Sequence, residues 1–181
     1  MEYIDNAEQT VGYKVGTLTR EAFTVVGYTL IIEPGEDDEI PAFWDELLDD
    51  GRLEQLRGAC GDEAWALGLG SWDPECPKAG QRYTICTEEV PGADLSVLEM
   101  GAPLYRKEIG ASEWLYFEIP RARDIGAFWD ADPYQMMKKL GYQLNMSGYD
   151  VGLHFDAYPP GPLDEEAPME FRITVVAADN Q

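Results

Sequence analysis

A six-residue motif occurs twice in this chain, once in each half. It reads IPAFWD at Ile40–Asp45 and IGAFWD at Ile125–Asp130, so five of its six residues recur at an offset of 85. A repeat at a fixed offset indicates that one structural unit is present twice. Because each copy opens a helical pattern between segments typical of strands, the chain predicts two units of strand, helix, strand and strand.

Apolar alternation, helical spacing and Pro/Gly turn signals give the predicted element boundaries. The first half is predicted to contain a strand at Phe23–Glu33, a helix from Ile40 to near Gly51 with a weak continuation to Leu56, and strands at Ala64–Trp72 and Arg82–Val90. The second half is predicted to contain a strand at Trp114–Pro120, a helix at Ile125–Leu144, and strands at Leu153–Tyr158 and Glu170–Val176. Residues 1–19 are read as an extended arm, and residues 91–112 show no decisive pattern.

These elements predict an α+β fold in which a single domain spans residues 1–181. Its two βαββ halves, at about residues 20–91 and 112–177, would pair about a pseudo-twofold axis. We expect an antiparallel sheet, continuous or in two abutting parts, with helices on one side and a cleft between the halves.

The charge of the chain limits its partners. Thirteen basic and 35 acidic residues give a formal net charge of −22, which repels nucleic acid and anionic lipid. This charge favours cationic ligands, and it is equally explained by a solubilising surface. Without an apolar run of ~20 residues or a signal peptide, the chain predicts a cytoplasmic protein with no membrane partner.

The cysteines and the histidine predict neither a metal site nor a cofactor. Cys60, Cys76 and Cys86 are odd in number and lack C-x-x-C spacing, which argues against a disulfide framework and against zinc. His154 is the single histidine, so a His-based metal cluster or a Ser-His-Asp triad is not expected.

An acid stands inside the last predicted strand. Alternation puts Glu170 and Arg172 on one face of this strand and Phe171 and Ile173 on the other. Glu is depleted in strands, so Glu170 is either a solvated residue paired with Arg172 or the polar anchor of a pocket. Burial raises the pKa of a carboxyl and a bound cation lowers it, so such a group can serve as counter-ion or as acid–base catalyst.

Aromatic residues on two other strands are candidates for ligand contact. Trp114 and Tyr116 share a strand face and would form a stacking wall for a flat molecule. Asp156 and Tyr158 share a face of a strand expected to neighbour that of Glu170, so Tyr158 would donate a hydrogen bond to the carboxylate or to a ligand. Tyr83 suits a pocket or the core equally well, and Trp44 and Trp129 are predicted to lie in the core or in contacts between the halves.

Four stretches carry a resemblance to a known family. They are the strand start Phe23–Gly27, the Ile-Pro-x-x-Trp helix start in Ile40–Leu47, Ser-Gly-Tyr followed by Phe-Asp-x-Tyr in Ser147–Tyr158, and the Glu-bearing strand Glu170–Val175. In order and spacing these resemble the GyrI-like small-molecule-binding domain, which is also the effector-binding domain of AraC-type and multidrug-responsive regulators. The resemblance covers about residues 20–177.

The resemblance implies a fold of two SHS2-like halves around a cleft for flat, apolar and often cationic molecules. It implies Glu170 at the cleft floor, with an acid at the position of Asp156 and a pocket aromatic at Tyr83. It also implies no DNA binding by this domain. Because only about 20 residues precede Phe23, we expect a free-standing version without a helix-turn-helix segment.

Three functions are consistent with this reading. The first is capture or sensing of an apolar, aromatic and, when charged, cationic compound in a pocket anchored by Glu170. The second is hydrolysis of cyclopropane-bearing or other electrophilic toxic compounds, with Glu170 activating water and Tyr158 or Tyr116 donating a proton. The third is a gyrase-inhibitor-like protein interaction based on the acidic surface. We rank binding first, since it needs only aromatic walls and one anchor.

Overall fold

The computed structural model of the protein describes residues 1–32, 39–72, 81–99, 103–146 and 153–178. Its strands are β1 Glu2–Tyr3, β2 Lys14–Arg20, β3 Phe23–Ile32, β4 Ala66–Trp72, β5 Gln81–Glu88, β6 Tyr105–Ile109, β7 Ser112–Ile119, β8 Tyr142–Leu144, β9 His154–Tyr158 and β10 Met169–Ala177. Its α-helices are α1 Ala7–Val11, α2 Glu39–Asp49, α3 Arg52–Cys60, α4 Ser96–Glu99, α5 Ile125–Asp130 and α6 Pro133–Lys139. Ser147–Tyr149 of the family resemblance and Cys76 lie outside the described residues.

One ten-stranded sheet organises the molecule. Its order is β1-β2-β7-β10-β9-β4-β5-β3-β6, and β8 pairs with β10. Every pairing is antiparallel, and β4 pairs with β9 at the centre. Reading outward from that pair gives β4-β5-β3 on one side and β9-β10-β7 on the other. The predicted α+β class with an antiparallel sheet is confirmed. The strand order suits two βαββ units, and their pseudo-twofold relation stays a prediction.

Helices cover one face of the sheet, and the opposite face is covered by other strands of the same sheet. On one face, Phe128 of α5 packs with Phe117 and Phe171 of the sheet, while Leu47 of α2 belongs to a second cluster with Ile85 of β5. These contacts explain why α2 and α5 are helices, since each has one apolar side that must be covered. We call this side of the sheet the helix face.

The opposite face is covered by the curl of the sheet itself. Phe23 of β3 lies 6.2 Å, between ring centroids, from Trp114 of β7, although four strands separate β3 from β7 in the sheet order. Phe155 of β9 lies between them and contacts both rings. A third buried cluster results, with side chains from strands of both halves.

Pro133 divides what the sequence predicts as one helix over Ile125–Leu144. The structure has α5, then α6, then the strand β8. Asp132 adopts a left-handed conformation with φ of 59°, and its carboxylate accepts a hydrogen bond from the backbone N–H of Gln135. Pro133 then occupies the first turn of α6, where its missing N–H costs nothing. The single-helix prediction is therefore wrong, because an N-cap and a proline start a new helix.

Three other segments are more ordered than the sequence predicts. The weak continuation after α2 is a separate helix, α3, which begins after Gly51 at φ of 74°. Residues 1–19 form β1, α1 and most of β2, and β2 pairs with β7 along its length. The undecided stretch contains α4 and β6. None of the described helices is both long and apolar enough to cross a membrane.

Phe128→Ala is expected to lower the free energy of unfolding by about 3–5 kcal/mol. The ring is fully buried and touches Tyr13, Phe117 and Phe171, with centroids 5.0–5.5 Å apart, so its removal leaves a cavity. Urea unfolding measures the change. Val97→Ala is the control, since Val97 is 65% exposed and should change stability by less than about 0.5 kcal/mol. Equal effects of the two substitutions would contradict the assigned core.

Candidate ligand-binding cleft

A cleft of about 850 Å³ lies on the helix face, above the central β4–β9 pair. Both copies of the repeated motif border it. Ile40 and Trp44 come from the first turns of α2, and Ile125 and Trp129 come from α5. The repeat therefore places one tryptophan from each half at the same cleft.

Two glycines of β4 make room beneath the cleft. A Cβ atom at Gly68 would lie 2.1 Å from Tyr83 Oη and 3.1 Å from Trp44 Cζ2. A Cβ atom at Gly70 would lie 2.5 Å from the ring of His154. The distances of 2.1 and 2.5 Å are shorter than the contacts that Cβ atoms make, so a glycine at each position lets the Tyr83 and His154 rings lie over the strand.

The aromatic side chains of the cleft are held by defined contacts. Trp44 Nε1 donates a hydrogen bond of 3.0 Å to Tyr83 Oη, and the Trp44 ring meets Tyr158 edge-on at 5.1 Å between centroids. In the other half, the Trp129 ring meets His154 edge-on at 5.3 Å. Edge-to-face pairs at such distances fix ring orientation. The cleft is therefore a preformed aromatic site.

Asp156 is the carboxylate on the sheet side of this cleft, and the exposed Asp45 of α2 also borders it. The Asp156 side chain is flanked in the sheet by Phe171 of β10 and by Gly68 of β4. Neither neighbour supplies a side-chain donor, and Asp156 Oδ1 is buried without a hydrogen-bond partner among the described residues. Burial raises the pKa of Asp156 to about 7. The group therefore changes charge near neutral pH, whereas an ordinary aspartate is ionised there.

Three tyrosine hydroxyls surround that carboxylate. Burial, and secondly the negative charge of Asp156, raises the pKa of Tyr83, Tyr134 and Tyr158. All three consequently remain protonated at neutral pH and can donate a hydrogen bond. The cleft thus combines stacking surfaces, hydroxyl donors and the Asp156 Oδ1 acceptor, for which the described residues supply no donor.

Comparison with known proteins identifies the fold. Neither a protein-family model nor a curated protein matches this chain. A solved structure of SAV2435 bound to tetraphenylphosphonium is 19% identical, with a TM-score of 0.69 over 97% of this chain and 94% of that one. A Staphylococcus aureus MU50 protein, provisionally assigned to bacterial transcription regulation, is 20% identical, with a TM-score of 0.63 over 90% and 97%. The EcmrR C-terminal domain is 12% identical, with a TM-score of 0.53 over 92% and 99%. The chain has a GyrI-like fold.

The GyrI-like fold predicted from the sequence is thereby confirmed, and the structure locates each predicted site residue within it. Tyr83, Asp156 and Tyr158 are brought together in the cleft. Glu170, Trp114 and Tyr116 lie on the opposite face of the sheet. The six candidates therefore divide into two groups of three.

Glu170 already has a partner. Arg172 Nε donates a hydrogen bond of 2.7 Å to Glu170 Oε2, and the side chains of this ion pair are 11% and 20% exposed, respectively. The Arg172 guanidinium is held over the rings of Trp65 and Tyr116 at 4.2 and 5.1 Å. Arg172 therefore points at Glu170, and its positive charge neutralises the charge of that carboxylate.

The expected hydrogen bond from Tyr158 to Glu170 is not formed. Glu170 lies directly opposite Ala157, and adjacent residues of a strand point to opposite faces. Tyr158 therefore points into the cleft while Glu170 points away from it. Glu170 instead borders a second cavity of about 910 Å³, together with Trp65 and Glu118.

Trp114 and Tyr116 do not form a wall of the cleft. Trp114 is 1% exposed and stacks on Phe155 at 5.4 Å, and Tyr116 is 5% exposed beneath Arg172. The sequence interpretation assumed that a face opposite an aliphatic one is open to a ligand. The curl of the sheet covers this face, so its amphipathic rings are part of the core.

Among the cleft residues that were not predicted as ligand contacts, four have aromatic rings, namely Trp44, Trp129, Tyr134 and His154. Two signals in the sequence point to them. The repeated motif contains both tryptophans, and alternation places His154 on the same strand face as Asp156. No group of three or more potential metal ligands occurs among the described residues.

Asp156→Asn is expected to change how stability depends on pH. The folded-state pKa of about 7 lies above the unfolded value near 4, so the folded state holds the proton longer. The contribution of Asp156 to the free energy of unfolding is fully present below about pH 4, and it is lost as the pH rises through 7. The substitution removes this loss, so it should raise the free energy of unfolding at pH 8 by roughly 1–3 kcal/mol.

Urea unfolding of both proteins between pH 4 and 8 measures this difference. Asp45→Asn is the matched control, because Asp45 borders the same cleft and is exposed. The control should follow the wild-type pH dependence. Parallel curves for wild type and Asp156→Asn would contradict a titration of Asp156 near neutrality.

Proposed function

We propose that this protein binds small, apolar, aromatic cations in the cleft between its halves and serves to capture or sense them. The observation that carries the proposal is the buried Asp156 Oδ1, which has no hydrogen-bond partner in the part of the chain that the structure describes, in a cleft bordered by Trp44 and Trp129. An unpaired carboxylate in an apolar site gains more from a bound cation than a paired one does.

The surroundings of the cleft favour this ligand class. Indole faces attract cations through the ring quadrupole and also cover flat apolar surface, so Trp44 and Trp129 suit an aromatic cation. The net charge of −22 draws cations toward the protein before they reach the cleft. The likeness to SAV2435, whose structure contains tetraphenylphosphonium, gives further support. A cytoplasmic location stays a prediction.

The anchor in this proposal is Asp156 in place of Glu170. Glu170 shares its charge with Arg172, so a ligand cation would have to displace an ion pair that is already formed. Tyr83 and Tyr158, both predicted ligand contacts, are proposed to contact the ligand through their hydroxyls beside Asp156. Trp114 and Tyr116 lie on the opposite face of the sheet, where they are proposed to hold β9 and Arg172 in position without contacting the ligand.

The hydrolase hypothesis paired Glu170 with Tyr158 or with Tyr116. Tyr158 leaves the sheet on the face opposite Glu170, so a single substrate in the cleft cannot touch both. Tyr116 shares the face of Glu170, but it is 5% exposed beneath Arg172, which already pairs with Glu170. The gyrase-inhibitor-like interaction stays a prediction that depends on charge alone. Binding is therefore the function that the geometry favours.

Binding of tetraphenylphosphonium to the full chain, followed by calorimetry and Trp fluorescence, tests the proposal. We expect saturable binding that weakens at least tenfold in Asp156→Asn, because the opposing charge is removed. Trp44→Ala and Trp129→Ala should each weaken binding several-fold. Affinity should rise about tenfold from pH 6 to pH 8 as Asp156 ionises, while that of neutral triphenylphosphine oxide should stay constant.

Glu170→Gln provides the discriminating control. This variant should bind tetraphenylphosphonium nearly as well as the wild type does. If Glu170→Gln abolishes binding and Asp156→Asn leaves it unchanged, the anchor has been assigned to the wrong acid. An absence of saturable binding to the wild type would contradict the proposed function itself.

A further inference from the structure

We infer that the cleft discriminates among cations by hydrogen bonding, and that it prefers ligands with one N–H-bearing cationic head, such as a protonated amine, amidine or guanidine, on a flat apolar body. Quaternary cations of the same size should bind less tightly. This inference rests on the proposed function and narrows its ligand class.

Asp156 has an oxygen atom that is able to accept a hydrogen bond from a ligand. Its Oδ1 atom is buried and accepts no hydrogen bond from the described residues. A buried acceptor without a donor costs free energy that any donor can recover. A quaternary ammonium or phosphonium presents only carbon atoms around its charge, so it neutralises the carboxylate without donating to it. A protonated amine does both, in a charge-assisted hydrogen bond.

The two central strands differ in the polarity of the side chains that they present to the cleft. On the helix face, β9 presents His154, Asp156 and Tyr158, and the residues directly opposite on β4 are Gly70, Gly68 and Ala66. At these paired positions the polar side chains therefore come from β9 only, while β4 offers glycine and alanine beside the Trp44 indole. A ligand that matches this arrangement has a polar head at one end and an apolar body at the other.

The groups that face Asp156 can accept further hydrogen bonds from a ligand. His154, Tyr83, Tyr134 and Tyr158 surround the Asp156 carboxylate, and the three hydroxyls are protonated at neutral pH. Tyr83 Oη already accepts the hydrogen bond from Trp44. These hydroxyl oxygens are further acceptors for the remaining N–H bonds of a primary ammonium or an amidinium. A head with several N–H donors can thus be satisfied entirely within the cleft.

Dehydration of the ligand acts against this preference. A primary ammonium loses more hydration on entering an apolar site than a trimethylammonium does. The preference is therefore expected because hydrogen bonds to charged groups are stronger than those between neutral groups. A matched ligand pair measures which effect is larger.

The experiment compares three probes that share one naphthalene ring: 2-(2-naphthyl)ethylammonium, its N,N,N-trimethyl derivative, and the neutral alcohol 2-(2-naphthyl)ethanol. Calorimetry at pH 8 on the full chain keeps the amine protonated, since alkylamines titrate well above that pH. For the wild type we expect the primary ammonium to bind at least tenfold more tightly than the trimethyl derivative, and the alcohol to bind most weakly.

Two variants show whether Asp156 is responsible. In Asp156→Asn the affinity ratio of primary to trimethyl probe should fall toward one, whereas Glu170→Gln should keep the wild-type ratio. Equal or tighter binding of the trimethyl probe to the wild type overturns the inference, as does a ratio that survives in Asp156→Asn. If both cations bind equally and Asp156→Asn weakens both, the inference fails while the proposed function stands. If no naphthyl probe binds, the inference fails, and the proposed function fails with it only if tetraphenylphosphonium does not bind either.

Discussion

The pairing of β4 with β9 is the interaction on which the rest of the structure depends. Five residues of each strand stand opposite one another, from Ala66 with Tyr158 to Gly70 with His154. This ladder is where the strands of the two halves meet in the sheet, and it decides which side chains meet above it. Because the register places small residues of one half against polar residues of the other, the junction is also a cleft. A shift by one residue would turn Asp156 to the opposite face.

The same alternation explains why Glu170 has a cationic partner while Asp156 has none among the described residues. Glu170 belongs to the covered face, where the guanidinium of Arg172 lies between aromatic rings and within hydrogen-bond distance. Asp156 belongs to the helix face, where its strand neighbours are apolar or glycine. The two carboxylates lie on adjacent strands but differ in their nearest charge. Glu170 has a cation, Arg172, beside it, whereas the strand neighbours of Asp156 carry no charge.

Much of the fold was predictable, and the reasons for the exceptions are local. Alternation located the central strands, and the repeated motif located the first turns of α2 and α5. The single helix predicted over Ile125–Leu144 gave more weight to its apolar stripe than to Pro133, which is a strong start signal for a new helix. The site was only half predictable. Sequence alternation places Asp156 with Tyr158, but it cannot say which face of a strand the helices cover when both faces are apolar, as in β7.

The position of the cleft across the seam between the halves has a mechanical consequence. The first turns of α2 and α5 border the cleft from opposite halves of the sequence, above the β4–β9 ladder and the start of β5. Among the described residues, no backbone hydrogen bond joins these two helices. A molecule that contacted both turns would therefore restrain one helix relative to the other.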